Sequence, residues 1–288
     1  MTHRPFALTP RDAVITLFGA FVRALGNWIA IADMVMLLGE LGVDEQSARS
    51  AIARLKRGGL LVSEKHAGHA GYTASRQLLD VLAEGDVRIF QSQLAADLDD
   101  GWVLVVFTVP ETERDRRHLL RVRLAALGCG PLAPGVWMAP RRVSADVRRV
   151  LERLDLAKYA SLFAGDYEGF TDLRSLAART WNLAALSRNY AAFAKRQQQR
   201  VLERWQRADD GPRAAFIDYT TLIEQWRLVA YEDPGLPDEV TSYATPRRAA
   251  REVFSTAVER LSPAARAHVE STMGPRRVRV SRDTGRGQ

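Results

Sequence analysis

The stretch DEQSARSAIARLKRGGLLVSEKHAGHAGY, residues 44–72, governs the reading of this chain. Asp44 is a good N-cap, and the spacing predicts a helix from it to about Arg57, with Ala48, Ala51, Ile52 and Leu55 as the buried stripe. At about 100° per residue, the opposite face carries Gln46, Ser50, Ala53 and Arg57, flanked by Arg49 and Arg54. Such a face suits a helix lying in a major groove. Arg and Gln make paired bonds to base edges, while Ser and Ala allow close approach. Gly58 and Gly59 end the helix, because they accept positive φ without steric cost. Leu60–Val62, Ser63–Gly71 and Tyr72 then predict a β-hairpin with its tip over Lys65–Gly71, of which only Lys65 is permanently cationic.

Upstream, Val14, Leu17, Phe18, Phe21, Val22 and Leu25 recur at helical spacing between Pro10 and Trp28, with Gly26-Asn27 as a stop. A second helix is expected from Ile31 to Leu41, broken at Gly42, and a closing helix from Ala74 to about Leu82. A polar helix face alone is more often a solvated surface than a binding site. The order of three helices followed by a wing is more restrictive, and it predicts a winged helix-turn-helix over residues 1–85. Its candidate DNA contacts are Gln46, Arg49, Ser50, Arg54, Arg57 and Lys65.

Residues 86–170 predict a small α/β domain. Trp102–Val109 is nearly continuous apolar sequence, as in a strand buried on both faces, and Pro110 ends it. A helix follows over Glu113–Leu127, with Arg114, Arg116, Arg117, Arg121 and Arg123 on its outer face among Glu113 and Asp115. Strands are expected around Gly135 (Val136-Trp137-Met138) and after Pro140, then a helix capped by Ser144, then a strand at Leu162–Ala164. The order β-α-β-β-α-β is that of a ferredoxin-like unit. From Asp172 the periodicity is helical, in pieces near 172–207, 212–231, 246–261 and 263–272, giving an all-α domain over 171–275. The fold class expected is therefore α+β and multi-domain.

The 288 residues exceed what one core usually organises. The net charge of +7 is weak support for nucleic-acid binding, because residues 246–288 hold ten basic against four acidic side chains and supply most of the excess. Much of it lies in a tail, 276–288, that reads as basic and disordered. No apolar run suits a membrane span, no signal-peptide layout opens the chain, and a cytosolic location is expected. Cys129 has no disulfide partner and reads as a small buried hydrophobe. Five scattered histidines offer no metal-ligand spacing, so neither a metal nor a cofactor is expected.

Taken in order, these motifs resemble the PaaX family of bacterial repressors, whose best-known members control phenylacetic acid catabolism. The resemblance rests on Val43–Leu60 with Arg49, Arg54 and Leu55; on Tyr72; on Trp102–Pro110; and on LGCGPLAPGVW at 127–137. It continues through Trp181, Tyr190, Phe193 and Arg227 to Asp233-Pro234-Gly235-Leu236-Pro237, covering about residues 10–272. The chain departs from the family pattern in the wing tip Ala67–Gly71, at Ser242–Pro246 and at Glu224. The resemblance implies a homodimer on a pseudo-palindromic operator, with repression relieved by an aryl-CoA thioester, typically phenylacetyl-CoA. A polyanionic thioester wants arginine beside an apolar slot, which marks Arg227, with Trp181 and Tyr190, as candidate effector contacts. Two alternatives stand beside this reading. One is a metal-dependent nuclease on the ferredoxin-like domain, although Thr108, Val109 and Pro110 stand where an aspartate is needed and Glu111 is the nearest carboxylate. The other is a DNA-binding dimer without a ligand.

Overall fold

The computed structural model describes residues 8–91, 95–205 and 211–274; the basic tail expected at 276–288 lies outside them. The elements in chain order are α1 (Pro10–Ala20), β1 (Trp28–Ala30), α2 (Ile31–Glu40), α3 (Glu45–Arg57), β2 (Leu61–His66), β3 (His69–Ala74) and α4 (Arg76–Asp86). They continue with β4 (Trp102–Phe107), α5 (Arg114–Ala126), β5 (Gly130–Ala133), β6 (Val136–Pro140), α6 (Ser144–Arg153) and β7 (Ala160–Gly165). The last are α7 (Leu173–Thr180), α8 (Leu183–Trp205), α9 (Pro212–Glu232) and α10 (Ala244–Met273). No helix among the described residues is long and apolar enough to cross a membrane. The chain forms two compact units, whose boundaries fall just after α4 and within α8, α9 and α10.

The first unit comprises the described residues up to 87, 197–226 and those from 253 on. The helical pattern expected from Pro10 to Trp28 is divided. Thr9 caps α1 through its side chain, a 3-10 turn covers Val22–Leu25, and Trp28–Ala30 is a strand. Gly26 at φ 104° and Asn27 at φ 57° turn the chain so that β1 pairs antiparallel with β3, in the sheet order β1-β3-β2. Val14, Leu17, Phe18, Met34, Leu37, Leu38, Ala48, Ala51, Ile52 and Leu55 are all buried, joining α1, α2 and α3 in one core. Residues more than 190 positions downstream complete it. The ring of Phe21 lies 5.5 Å from those of Phe216 and Tyr219, Thr16 donates to buried Glu224, and Trp226 stacks on Phe254 at 4.5 Å. Glu40, at the end of α2, meets His268 at 2.7 Å and Arg213 at 3.2 Å.

The second unit comprises residues 88–196 and 227–252. Its four strands pair antiparallel in the order β5-β6-β4-β7, with α5 and α6 contributing Leu120, Leu124, Val147 and Leu151 to a core with Val103, Val105 and Trp137. The strand expected after Pro140 is instead a 3-10 turn, Arg141–Val143, and the missing strand is β5, before Gly135. Gly135, at φ +76°, makes the turn between β5 and β6, where a Cβ would stand 2.5 Å from the carbonyl oxygen of Phe107. Ser144 is the first helical residue of α6, with Val143 at the uncapped N-cap position. The helix expected over 172–207 breaks between Thr180 and Leu183, whereas those expected at 246–261 and 263–272 are one helix through Pro263. Pro263 offers no N–H to Glu259, and buried Leu261, Ala265 and Val269 hold the helix together across that gap.

Candidate nucleic-acid interface

Helix α3 is set by its two ends. Asp44 accepts from the backbone N–H of Ser47 at 2.8 Å, and those bonds hold its carboxyl below the usual aspartate value. At the other end, Gly58 stands at the C-cap and Gly59 takes φ +73°. Gln46, Arg49, Ser50, Arg54 and Arg57 are all exposed, on the side opposite buried Ala48, Ala51, Ile52 and Leu55. Arg49 is held by Glu45 at 2.8 Å, one turn back, whereas Arg54 and Arg57 form no ion pair with a described residue. A surface pair of this kind is weak, worth about 0.3–0.5 kcal/mol, so little holds Arg49 to Glu45.

The β2–β3 hairpin is tighter than expected. β2 and β3 pair without interruption from Leu61↔Ala74 to His66↔His69, so the tip is only Ala67-Gly68. Both take positive φ, 49° and 82°, as a two-residue hairpin turn requires. Lys65 is exposed on the penultimate rung, opposite Ala70. Trp28 anchors the hairpin: it is fully buried, its indole N–H donates to the carbonyl of Glu64 at 3.4 Å, and its ring lies 5.4 Å from that of His66. Gly71 makes room for it, since a Cβ there would stand 2.5 Å from the Trp28 ring. The structure thus brings Gln46, Arg49, Ser50, Arg54 and Arg57 onto one exposed face and places Lys65 on the hairpin of the same unit. The support from β1 was missed because Trp-Ile-Ala runs without a break into the apolar sequence of α2.

The expected effector contacts lie in the second unit. The indole N–H of Trp181 donates to the carbonyl of Gly128 at 3.0 Å, and its ring lies 6.3 Å from that of Trp102. Tyr190 is buried and donates to Asp233 at 2.6 Å, and Arg227 is half-buried on α9. Asp233 is the residue that sequence reasoning undervalued. Its carboxylate also accepts from Tyr243 at 2.8 Å and from the backbone N–H of Gly235 at 2.7 Å, and Arg247 lies 3.5 Å away. Gly235, at φ +66°, admits the Arg142 guanidinium, which a Cβ would overlap. Burial holds Arg142 below the usual arginine value; Asp233 opposes this and Arg88 and Arg247 reinforce it. Elsewhere in the unit, Glu111 pairs with Arg117, and among the described residues no group of His, Cys, Asp and Glu could hold a metal ion.

Three family models match the chain in sequence. A PaaX-like protein model covers residues 9–78, the PaaX protein central Cas2-like domain covers 95–177, and the PaaX-like protein C-terminal domain covers 181–271. The chain belongs to the PaaX family. Within it, this PaaX-family chain is 26% identical over 262 residues to the transcriptional repressor PaaX of Escherichia coli K12, a match spanning 89% of this chain and 81% of the relative. A solved structure, the uncharacterized protein Rv0674 from Mycobacterium tuberculosis, shares the fold at a TM-score of 0.60. It is 20% identical, and the likeness covers 91% of this chain and 99% of that one.

Proposed function

We propose that this PaaX-family chain is a transcriptional repressor, not an enzyme, that binds a pseudo-palindromic operator as a homodimer and is released by an aryl-CoA thioester such as phenylacetyl-CoA. The observation that carries the reading is the exposed α3 face beside a short hairpin wing. We read the first unit as presenting a winged helix-turn-helix, and the β4-α5-β5-β6-α6-β7 sheet of the second as ferredoxin-like. Gln46, Arg49, Ser50, Arg54 and Arg57 contact bases or nearby phosphates, and Lys65 holds the backbone. An effector shifts the equilibrium only through a difference in affinity for the operator-competent and operator-incompetent states.

A gel shift on the DNA upstream of the protein's own coding region tests this. Wild type gives a specific shift that phenylacetyl-CoA reverses. Arg49→Ala and Arg54→Ala each lose about 1–3 kcal/mol of operator affinity where the lost contact is to a base. Unchanged affinity in both variants removes the α3 face from the interface.

A further inference from the structure

Beside the β5–β6 hairpin, the second unit holds a cleft of about 520 Å³. Phe107 and Val109, at and beyond the end of β4, line it with Leu132 and Trp137 of the hairpin and with Arg117 and Arg121 of α5. The pairing of β5 with β6 is irregular between Pro131 and Ala133, and Leu132, at that irregularity, is 36% exposed. Phe107, Val109 and Trp137 are buried behind it, and a leucine left open to water above them is unfavourable in proportion to its exposed area. The cationic side also has unused capacity. Arg117 gives one nitrogen to Glu111, but its Nε is buried with no acceptor among the described residues, and Arg121 is exposed with no ion pair to a described residue. A buried donor without an acceptor is costly, and an anionic oxygen is the group that relieves it best.

We infer that this cleft binds a small amphiphilic anion, its apolar body against Phe107, Leu132 and Trp137 and its charged end on Arg117 and Arg121. This inference rests on the effector reading above for the choice of probe, and it locates the effector away from Trp181 and Tyr190, whose polar atoms bond within the protein. A carboxylate of a free aryl acid and the phosphates of its thioester share the required chemistry.

The test is calorimetric titration of the full chain with phenylacetyl-CoA, coenzyme A and phenylacetate, repeated on Arg121→Glu, Ala133→Trp and Arg188→Gln. Ala133 is an exposed lining residue, so a tryptophan there fills the cleft from the solvent side. The expected result is roughly tenfold or greater weakening in Arg121→Glu and Ala133→Trp, with near wild-type binding in Arg188→Gln, a change at an exposed position of α8, and an unchanged gel shift without ligand. Binding of phenylacetate alone assigns the charged end to a carboxylate; binding of the thioester alone assigns it to phosphate. Wild-type affinity in both cleft variants overturns the site while leaving the effector reading intact. No binding of any probe by wild type overturns both. A change in sedimentation of Ala133→Trp without a change in ligand affinity assigns the cleft to a second copy of the chain instead.

Discussion

Ala67 stands at φ 49°, where any side chain beyond hydrogen meets its own backbone, and the β2–β3 turn depends on it. Asn tolerates this region better and precedes Gly in the favoured hairpin turns. Ala67→Asn is therefore expected to stabilise the protein by about 0.5–1 kcal/mol, read as a higher midpoint in urea. Cys129 is 4% exposed, and burial pushes its thiol up to about 12, with Arg88 opposing only in part. Since the thiolate is the reactive form, the native protein should react with a disulfide reagent at pH 8 roughly a thousandfold more slowly than the unfolded chain. Prompt stoichiometric labelling of native protein would contradict that burial.

The turn Asp233–Pro237 is held by elements distant in sequence, because Tyr190 of α8 and Tyr243, just before α10, both donate to Asp233. Burial, reinforced by the Asp233 charge, holds both phenols well above the ordinary tyrosine value. Above about pH 10 the unfolded chain ionises its tyrosines while these two stay protonated in the native state, so the unfolded state binds fewer protons and stability falls as pH rises. Tyr243→Phe should make that alkaline decline shallower while lowering stability at pH 7 by roughly 1–3 kcal/mol. Urea titrations at pH 7, 9, 10 and 11 separate the two effects. These elements also mark what was legible in the sequence. Helix α3 could be read because its stripe, its Asp44 cap and its paired glycines agree locally. β4 could be read because it is a continuous apolar run rich in valine and aromatic residues. β5 could not, because Gly-Pro-Leu-Ala has no strand composition and its pairing is supplied by β6. The partners of Asp233 lie 43 and 10 residues away, and no periodicity signals a contact of that kind. The cleft was invisible for the same reason, since its arginines were indistinguishable from a solvated helix face until the hairpin was placed beside them.

At the scale of the whole molecule, the unit bearing the α3 face is built from both ends of the chain. Phe216 is fully buried against Phe21, so Phe216→Ala should cost about 3–5 kcal/mol and accelerate hydrogen exchange along α1. Equal exchange in α1 for variant and wild type would mean that the N-terminal helices are stable without that cover. The same arrangement has a consequence for synthesis. Phe21 leaves the ribosome 195 residues before Phe216, which at usual elongation rates is roughly 10–40 s. For that interval the nascent N-terminal helices have one flank uncovered, so a chain cut short by premature termination would emerge with α3 made and its greasy flank bare. The first unit would close its core only once residues 212–273 had followed.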